Sequence, residues 1–338
     1  MDPARALRLI AYHLERTGAA TYRVRAFRRA AAVAEEAGID ELRRRAAVGA
    51  LTDLPGIGRT TAEVIGQALA DRDPDYLVEL TERDAPELTR GQRLRAALRG
   101  DCHTHSDWSD GGSPIEEMAA TAAELGHEWI VLTDHSPRLT IANGLSAERL
   151  RAQLAVLAEL NRRVAPFRVL SGIEVDILAD GRLDQREDLL AELDVVVASV
   201  HSVLRMPERE MTDRMVTAVA NPHVDVLGHC TGRIVTGRGR PESTFDAKEV
   251  FQACAEHGVA VEINSRPERL DPPRRLLRLA VELGCRFAID SDAHAPGQLS
   301  WLGYGCQRAE ECGVSADQVI NTRSADDLLA LLSPSGRR

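Results

Sequence analysis

The sequence predicts an α/β protein: a parallel barrel beyond residue 100, preceded in the chain by a small all-helical domain. Three observations carry that expectation. The first 90 residues contain no β-branched run and repeat Ala, Leu and Ile at spacings of three and four. After residue 100, aliphatic runs alternate with helical segments roughly every 25–40 residues, the signature of parallel strands joined by crossover helices. Finally, nine residues with metal-binding side chains lie in short blocks, and seven of them stand in or just after an aliphatic run, where strands usually end. A barrel gathers such strand ends at one mouth.

In chain order, helical periodicity covers 4–17, 22–38 and 40–49. The segment Leu54-Pro55-Gly56-Ile57-Gly58-Arg59-Thr60-Thr61-Ala62 then interrupts one helix and opens another that runs to about Leu69. Pro55 ends the preceding segment, and the glycines permit a tight turn with positive φ. Such a turn leaves backbone N–H groups facing outward at a helix N-terminus, a site for one phosphate. It resembles the helix-hairpin-helix that grips DNA backbones without reading sequence, which makes Gly56, Ile57, Gly58, Arg59 and Thr60 the expected DNA contacts. A plain helix–helix connection is the alternative. Arg23, Arg25, Arg28 and Arg29 offer either a second basic patch or a solvated helix face.

From Thr81 to Gly100 the chain is polar and Arg-rich and reads as a linker with room for one short helix. The expected division is a helical domain at 1–85, a linker at 86–99 and the barrel at 100–338. Strand candidates follow at Trp129-Ile-Val-Leu, Val169-Leu-Ser-Gly-Ile, Val195-Val-Val-Ala-Ser, Val224-Asp-Val-Leu-Gly, Val259-Ala-Val-Glu-Ile and Arg286-Phe-Ala-Ile-Asp.

Net charge is −10 but unevenly spread. Residues 1–100 carry 17 Arg against 15 acidic residues, about +2, which leaves about −12 for the rest. No apolar run is long enough to span a bilayer. The six cysteines form no Cys-x-x-Cys pair and read as reduced thiols, so a cytoplasmic location is expected.

The nine residues are His103, His105, Asp110, His135, Glu174, His201, His229, Asp292 and His294. His103 and His105 are two apart, so on a strand they share a face and Cys102 points the other way. Asp292 and His294 repeat that spacing, and Glu174 is placed to bridge two ions. Imidazole and carboxylate together suit Zn²⁺, Mn²⁺ or Fe²⁺, whereas the lack of a thiolate cluster disfavours a structural zinc. His13, His127, His223 and His257 lie on or beside helices and loops and read as structural. Asp134 and Asp290, each beside a ligand block, could orient ligands or simply serve the fold.

These blocks resemble the polymerase-and-histidinol-phosphatase (PHP) superfamily, above all the PHP domain of bacterial family X DNA polymerases. The resemblance spans about residues 99–335. It implies a distorted (β/α)7 TIM-like barrel with two or three divalent ions at the C-terminal mouth. Carried over residue by residue, His103, His105, Glu174 and Asp292 would hold one ion. Glu174, His201 and His229 would hold a second, and Asp110, His135 and His294 a third. Cys230 stands where the family usually has proline after the histidine that here is His229. The first hundred residues are similar to the DNA-end-binding domain of the same polymerases, but no segment offers the paired aspartates of nucleotidyl transfer. Lyase chemistry through a Schiff base needs a lysine, and the only lysine is Lys248.

The resemblance therefore implies metal-dependent phosphoester hydrolysis centred on Glu174 and Asp292. Arg233 is the first choice for a phosphate contact, ahead of Arg205, Arg238, Arg240 and Arg266. The tethered DNA clamp favours DNA ends as substrate, by 3′→5′ exonuclease action or 3′-end cleaning. A small-molecule phosphatase of the histidinol-phosphatase type and a non-catalytic DNA-binding accessory protein are the alternatives.

Overall fold

The computed structural model describes residues 1–83 and 89–333, which divide into an N-terminal helical unit and a barrel. In the first unit, helix Pro3–Arg16 begins where Asp2 accepts the Arg5 amide and where the missing N–H of Pro3 leaves no helical bond unmade. Helix Thr21–Ala47 is a single 27-residue run, broken at Gly38, whose φ of 75° and ψ of 160° lie outside the helical range. The two helices expected at 22–38 and 40–49 thus meet at one glycine. Helices Arg59–Leu69 and Asp75–Arg83 complete the unit. Its core contains Leu7, Ile10, Leu14, Phe27, Ile57, Val64 and Ile65.

The stretch expected as a linker at 86–99 holds the one short helix it had room for. Gln92–Ala97 is a helix, and Leu94 and Leu98 are buried in the main core of the barrel. Those two leucines are four apart, so a helix puts both on one face and the Arg-rich remainder in solvent. Residues 86–88 of that linker lie outside the described residues.

Seven strands form the barrel: β1 Gly100–Thr104, β2 Trp129–Leu132, β3 Arg168–Asp176, β4 Val195–Ser199, β5 Val226–Leu227, β6 Ala260–Asn264 and β7 Phe287–Asp290. They pair in sequence order, and every ladder is parallel. Buried residues run continuously along most strands because helices cover their outer faces. Between β7 and β1 no ladder forms among the described residues, only the bridge Thr104–Ala293. Side chains close that seam. The Cys102 amide donates to Asp290 Oδ1, and Ser291 donates to Asp101 through both its N–H and its hydroxyl. Asp290 therefore ties strands together.

An apolar layer inside the barrel joins Cys102, Trp129, Val131, Leu170, Val195, Val197, Val226, Ala260 and Ala288 to Ile320 and to Leu328 of the last helix, Ala325–Leu332. The register of β1 shifts between Asp101 and Thr104. Such an irregularity re-aims neighbouring side chains, so strict alternation does not hold there. Cys102 is kept from the ligand cluster by lying in this apolar layer.

Candidate metal centre

All nine predicted ligands converge at the C-terminal ends of the strands. His103 and His105 come from the end of β1, His135 from the loop after β2, and Glu174 from within β3. His201, His229 and the pair Asp292 and His294 follow β4, β5 and β7. Glu174, 1% exposed, is the centre of the array. Its Oε1 lies 2.9 Å from His229 Nε2 and 3.2 Å from His201 Nε2. Its Oε2 lies 2.8 Å from His135 Nδ1, 3.3 Å from His103 Nε2 and 3.6 Å from His105 Nε2. Asp292 Oδ1 stands 3.5 Å from His105 Nε2 and 3.5 Å from His294 Nδ1. Asp110 Oδ1 is 3.5 Å from both His135 Nε2 and His294 Nε2.

Two donors each about 2.1 Å from one tetrahedral ion stand about 3.4 Å apart, and the spacings above fall around that value. His103 Nε2, both nitrogens of His105 and of His201, and Glu174 Oε2 are buried without a hydrogen bond. Leaving a buried polar atom unsatisfied costs roughly 1–3 kcal/mol, which divalent cations would remove. The residues fit a metal cluster. Three groups have mutually close donors: His105, Asp110, His135 and His294; His103, His105 and Glu174; and His135, Glu174 and His201. His135 reaches Glu174 through Nδ1 and Asp110 through Nε2, so it joins two groups instead of belonging to one.

Opposite charges within the cluster offset the burial of its carboxylates. Burial pushes the Glu174 carboxyl up, but His201, His103 and His135 outweigh it and hold it well below the usual range. Burial likewise opposes ionisation of Asp292, which His105, His103, Arg266 and Arg269 nonetheless hold low. Burial lowers His103, yet Glu174 and Glu262 bring it well above its ordinary value. His105 is driven well below it by burial and by His294 and His135.

Two residues outside the predicted set organise the cluster. Glu262 on β6 is fully buried and contacts His103 Nδ1 at 2.6 Å while accepting the His229 amide. Asn264, two residues on, donates to both Glu262 and Asp292. A carboxylate on Nδ1 fixes the imidazole tautomer that leaves Nε2 for a metal. Asp134, left open by the sequence, accepts from Ser106, Ser109 and Gln153 and so braces the loop between His105 and Asp110.

The arginines need correction. Arg233 does not line the cleft: its guanidinium donates to the carbonyls of Arg269 and Leu270 and pairs with Glu242 at 3.6 Å. Arg205, Arg238 and Arg240 are also absent from the lining. Arg266 and Arg269 do line it. Arg269 Nε is 3.2 Å from Asp292 Oδ2, and its Nη1 is buried with no hydrogen bond. The signal for Arg269 in the sequence was its place in the loop after the β6 strand end, beside Arg266.

In the helical unit, one of the two glycines takes the positive φ expected of the turn. Gly56 has φ 105°, and Gly58 is extended just before helix Arg59–Leu69. A Cβ on Gly56 would stand 2.9 Å from Arg29 Nε, so Arg29 packs directly on the turn. Thr61 Oγ1 accepts the Gly58 amide. Gly56, Gly58, Arg59 and Thr60 are exposed, whereas Ile57 is buried and anchors the hairpin by its side chain. Arg28 is engaged with buried Glu15 at 2.7 Å, which takes it out of any basic patch.

Comparison with known proteins follows the same division. The PHP domain model matches residues 101–266, and a helix-hairpin-helix domain model matches residues 1–73. The DNA polymerase/3′-5′ exonuclease PolX of Bacillus subtilis is 40% identical over 235 residues, 70% of this chain and 41% of that protein. The chain thus spans about two fifths of that relative. A probable phosphatase of Thermoanaerobacter sp. strain X514 is 31% identical over 233 residues, 66% of this chain and 89% of its own length. A histidinol phosphate phosphatase structure from Lactococcus lactis, complexed with zinc, L-histidinol and phosphate, overlays with TM-score 0.46 at 18% identity. That overlay covers 64% of this chain and 95% of the other. No helix among the described residues is long and apolar enough to cross a membrane, and the six cysteines are free and buried.

Proposed function

The chain belongs to the PHP-domain family of phosphoesterases and phosphatases, and from that premise we propose that it hydrolyses phosphoester bonds at DNA ends. The reaction would be 3′→5′ exonuclease cleavage or 3′-end processing in repair. The observation that carries this reading is a helix-hairpin-helix domain in the same chain as the cluster of histidines and carboxylates. Its support is the 40% identity to a polymerase whose name includes 3′-5′ exonuclease.

His103, His105, Asp110, His135, Glu174, His201, His229, Asp292 and His294 would hold two or three Mn²⁺, Zn²⁺ or Fe²⁺ ions. Such ions supply Lewis acidity and lower the pKa of water to about 7. The protein's own part is positioning and charge. Glu174 and Asp292 stay ionised among histidines, Glu262 sets the orientation of His103, and Arg269 and Arg266 present guanidinium to the phosphate. Gly56, Gly58, Arg59 and Thr60 would grip the DNA backbone, with Ile57 as their anchor.

A second reading, a small-molecule phosphatase, is favoured by the probable phosphatase, which this chain covers nearly end to end. Purified protein with Mn²⁺ is incubated with 3′-labelled single- and double-stranded DNA and with a panel of phosphomonoesters. Shortening of the DNA supports the proposal. Untouched DNA with rapid monoester turnover refutes it in favour of the phosphatase, and no reaction with empty metal sites leaves a DNA-binding accessory protein.

A further inference from the structure

The cleft over the ligand cluster, about 390 Å³, is not polar throughout. Leu139, Ile141 and Ala142 line it from the loop between β2 and β3, and Ile234 adds a fourth apolar side chain. Ile141 is 93% exposed, more than any other large hydrophobic residue among those described.

The loop that displays it is held firmly. Arg149 donates to the carbonyls of Asn143, Gly144 and Trp108. Asn143 has φ 54°, and a Cβ on Gly144 would stand 1.9 Å from Ser136 O. Asp184 accepts from both the Ser136 hydroxyl and the Arg138 amide. Buried Leu145 anchors the end of the loop. A loop so constrained nevertheless leaves an isoleucine in water at the rim of a charged cleft. Single exposed aliphatics need no explanation; one held at the mouth of a site beside three other apolar linings does.

Arg266, Arg269 and the metal ligands line the same cleft. A phosphoester seated against them would lay its organic group on the apolar residues. We propose that Ile141, with Leu139 and Ile234, forms a subsite for the nucleobase at the terminal nucleotide of a DNA strand. This inference rests on the DNA-end reading and adds what holds the terminal base. Every base has an apolar π-face, so such contact tolerates any sequence. Isoleucine is also among the side chains that DNA-binding proteins insert between base steps to unstack them. The subsite would therefore separate the last base from its neighbour.

The test compares kcat/KM on two oligonucleotides that differ only at the 3′-terminal unit, one a normal nucleotide and one an abasic tetrahydrofuran. The enzyme is the full chain loaded with Mn²⁺, as wild type, Ile141→Ala and Ile141→Phe. Wild type is expected to prefer the base-bearing end by roughly 5–10-fold, the low end of what stacking on an aromatic side chain contributes, because isoleucine offers a smaller face. Ile141→Ala should bring the two substrates within about twofold, and Ile141→Phe should restore the preference. The side chain is exposed, so neither change threatens folding. An unchanged preference in Ile141→Ala overturns the subsite and leaves DNA-end hydrolysis standing. Failure of wild type to cut either oligonucleotide, with phosphomonoesters still turned over, overturns both together.

Discussion

Replacing Glu262 with glutamine keeps the volume of the side chain but removes one of its two acceptor oxygens, and the structure says what that change costs. Glu262 is wholly buried and serves three donors: His103 Nδ1, the His229 amide and Asn264 Nδ2. A glutamine oxygen can serve His103 or His229, but its NH₂ then faces the other. One buried donor loses its acceptor, worth about 1–3 kcal/mol. If that cost falls on the metal-competent arrangement, the dissociation constant rises roughly 5- to 150-fold, since each 1.4 kcal/mol is tenfold. Losing an outer partner of a metal ligand typically costs about 10- to 100-fold, inside that interval. The assay is calorimetric titration of metal-free protein with Mn²⁺, alongside circular dichroism to confirm the fold. Nitrogen-15 NMR of the imidazoles reads the His103 tautomer directly and should show Nδ1–H in wild type and a mixture in Glu262→Gln. Wild-type affinity and stoichiometry in a folded Glu262→Gln protein would refute the positioning role. A loss of thermal stability with unchanged affinity would refute it equally.

Asp292→Asn or His103→Ala should lower metal-dependent turnover by roughly 100-fold or more, beyond what outer partners contribute, with the barrel still folded; full activity would show the ligand assignment wrong. Gly56→Ala forces a Cβ into the left-handed region and against Arg29. Strain of about 1–3 kcal/mol should weaken DNA binding roughly tenfold by fluorescence anisotropy, and an unchanged Kd would rule out the hairpin as the clamp. His127 lies away from the metal centre, and burial together with Arg95 lowers its pKa from 6.5 to about 3. The unfolded chain therefore binds more protons between those values, and stability falls as the pH drops below about 6.5. Between pH 8 and pH 5, metal-loaded wild type should lose about 2 kcal/mol more stability than His127→Phe, measured by urea unfolding; parallel pH profiles would sink the assignment.

What the sequence makes legible follows from physical range. The strands and the candidate ligands at their ends are legible because a strand's burial and its C-terminal residue lie within a few positions of each other. Even β5, only Val226–Leu227, is marked by the Gly-His that follows it. The helix at Gln92–Ala97 is legible only as room for one short helix, because its burial signal, two leucines four apart, lies in an arginine-rich stretch. The role of Glu262, in a Glu262-Ile-Asn block that shares in the family resemblance, is hidden for a different reason. Within Ala-Val-Glu-Ile-Asn it is only an acidic residue in an apolar strand, and its importance depends on β1 and β5 reaching the same point in space. Register shifts are invisible too: the pairing of β1 slips between Asp101 and Thr104, and alternation alone gives the wrong reason for excluding Cys102.

The arginines show how proximity in sequence misleads. Arg233, four residues after His229, ranked first because a phosphate contact is expected near a ligand. A guanidinium can contact phosphate only with donors left free and aimed at the cleft, and Arg233 spends its donors on two carbonyls and Glu242. One of those carbonyls belongs to Arg269, the residue whose buried Nη1 makes no hydrogen bond. Arg233 thus acts on the backbone that carries Arg269, and the two roles are divided between residues 36 positions apart. A planar fork of donors can hold adjacent carbonyls at once, whereas a lysine ammonium is a compact point charge on a flexible stem. Arginine at 233 therefore suits the loop geometry as well as the charge of Glu242, which a lysine would meet only in part.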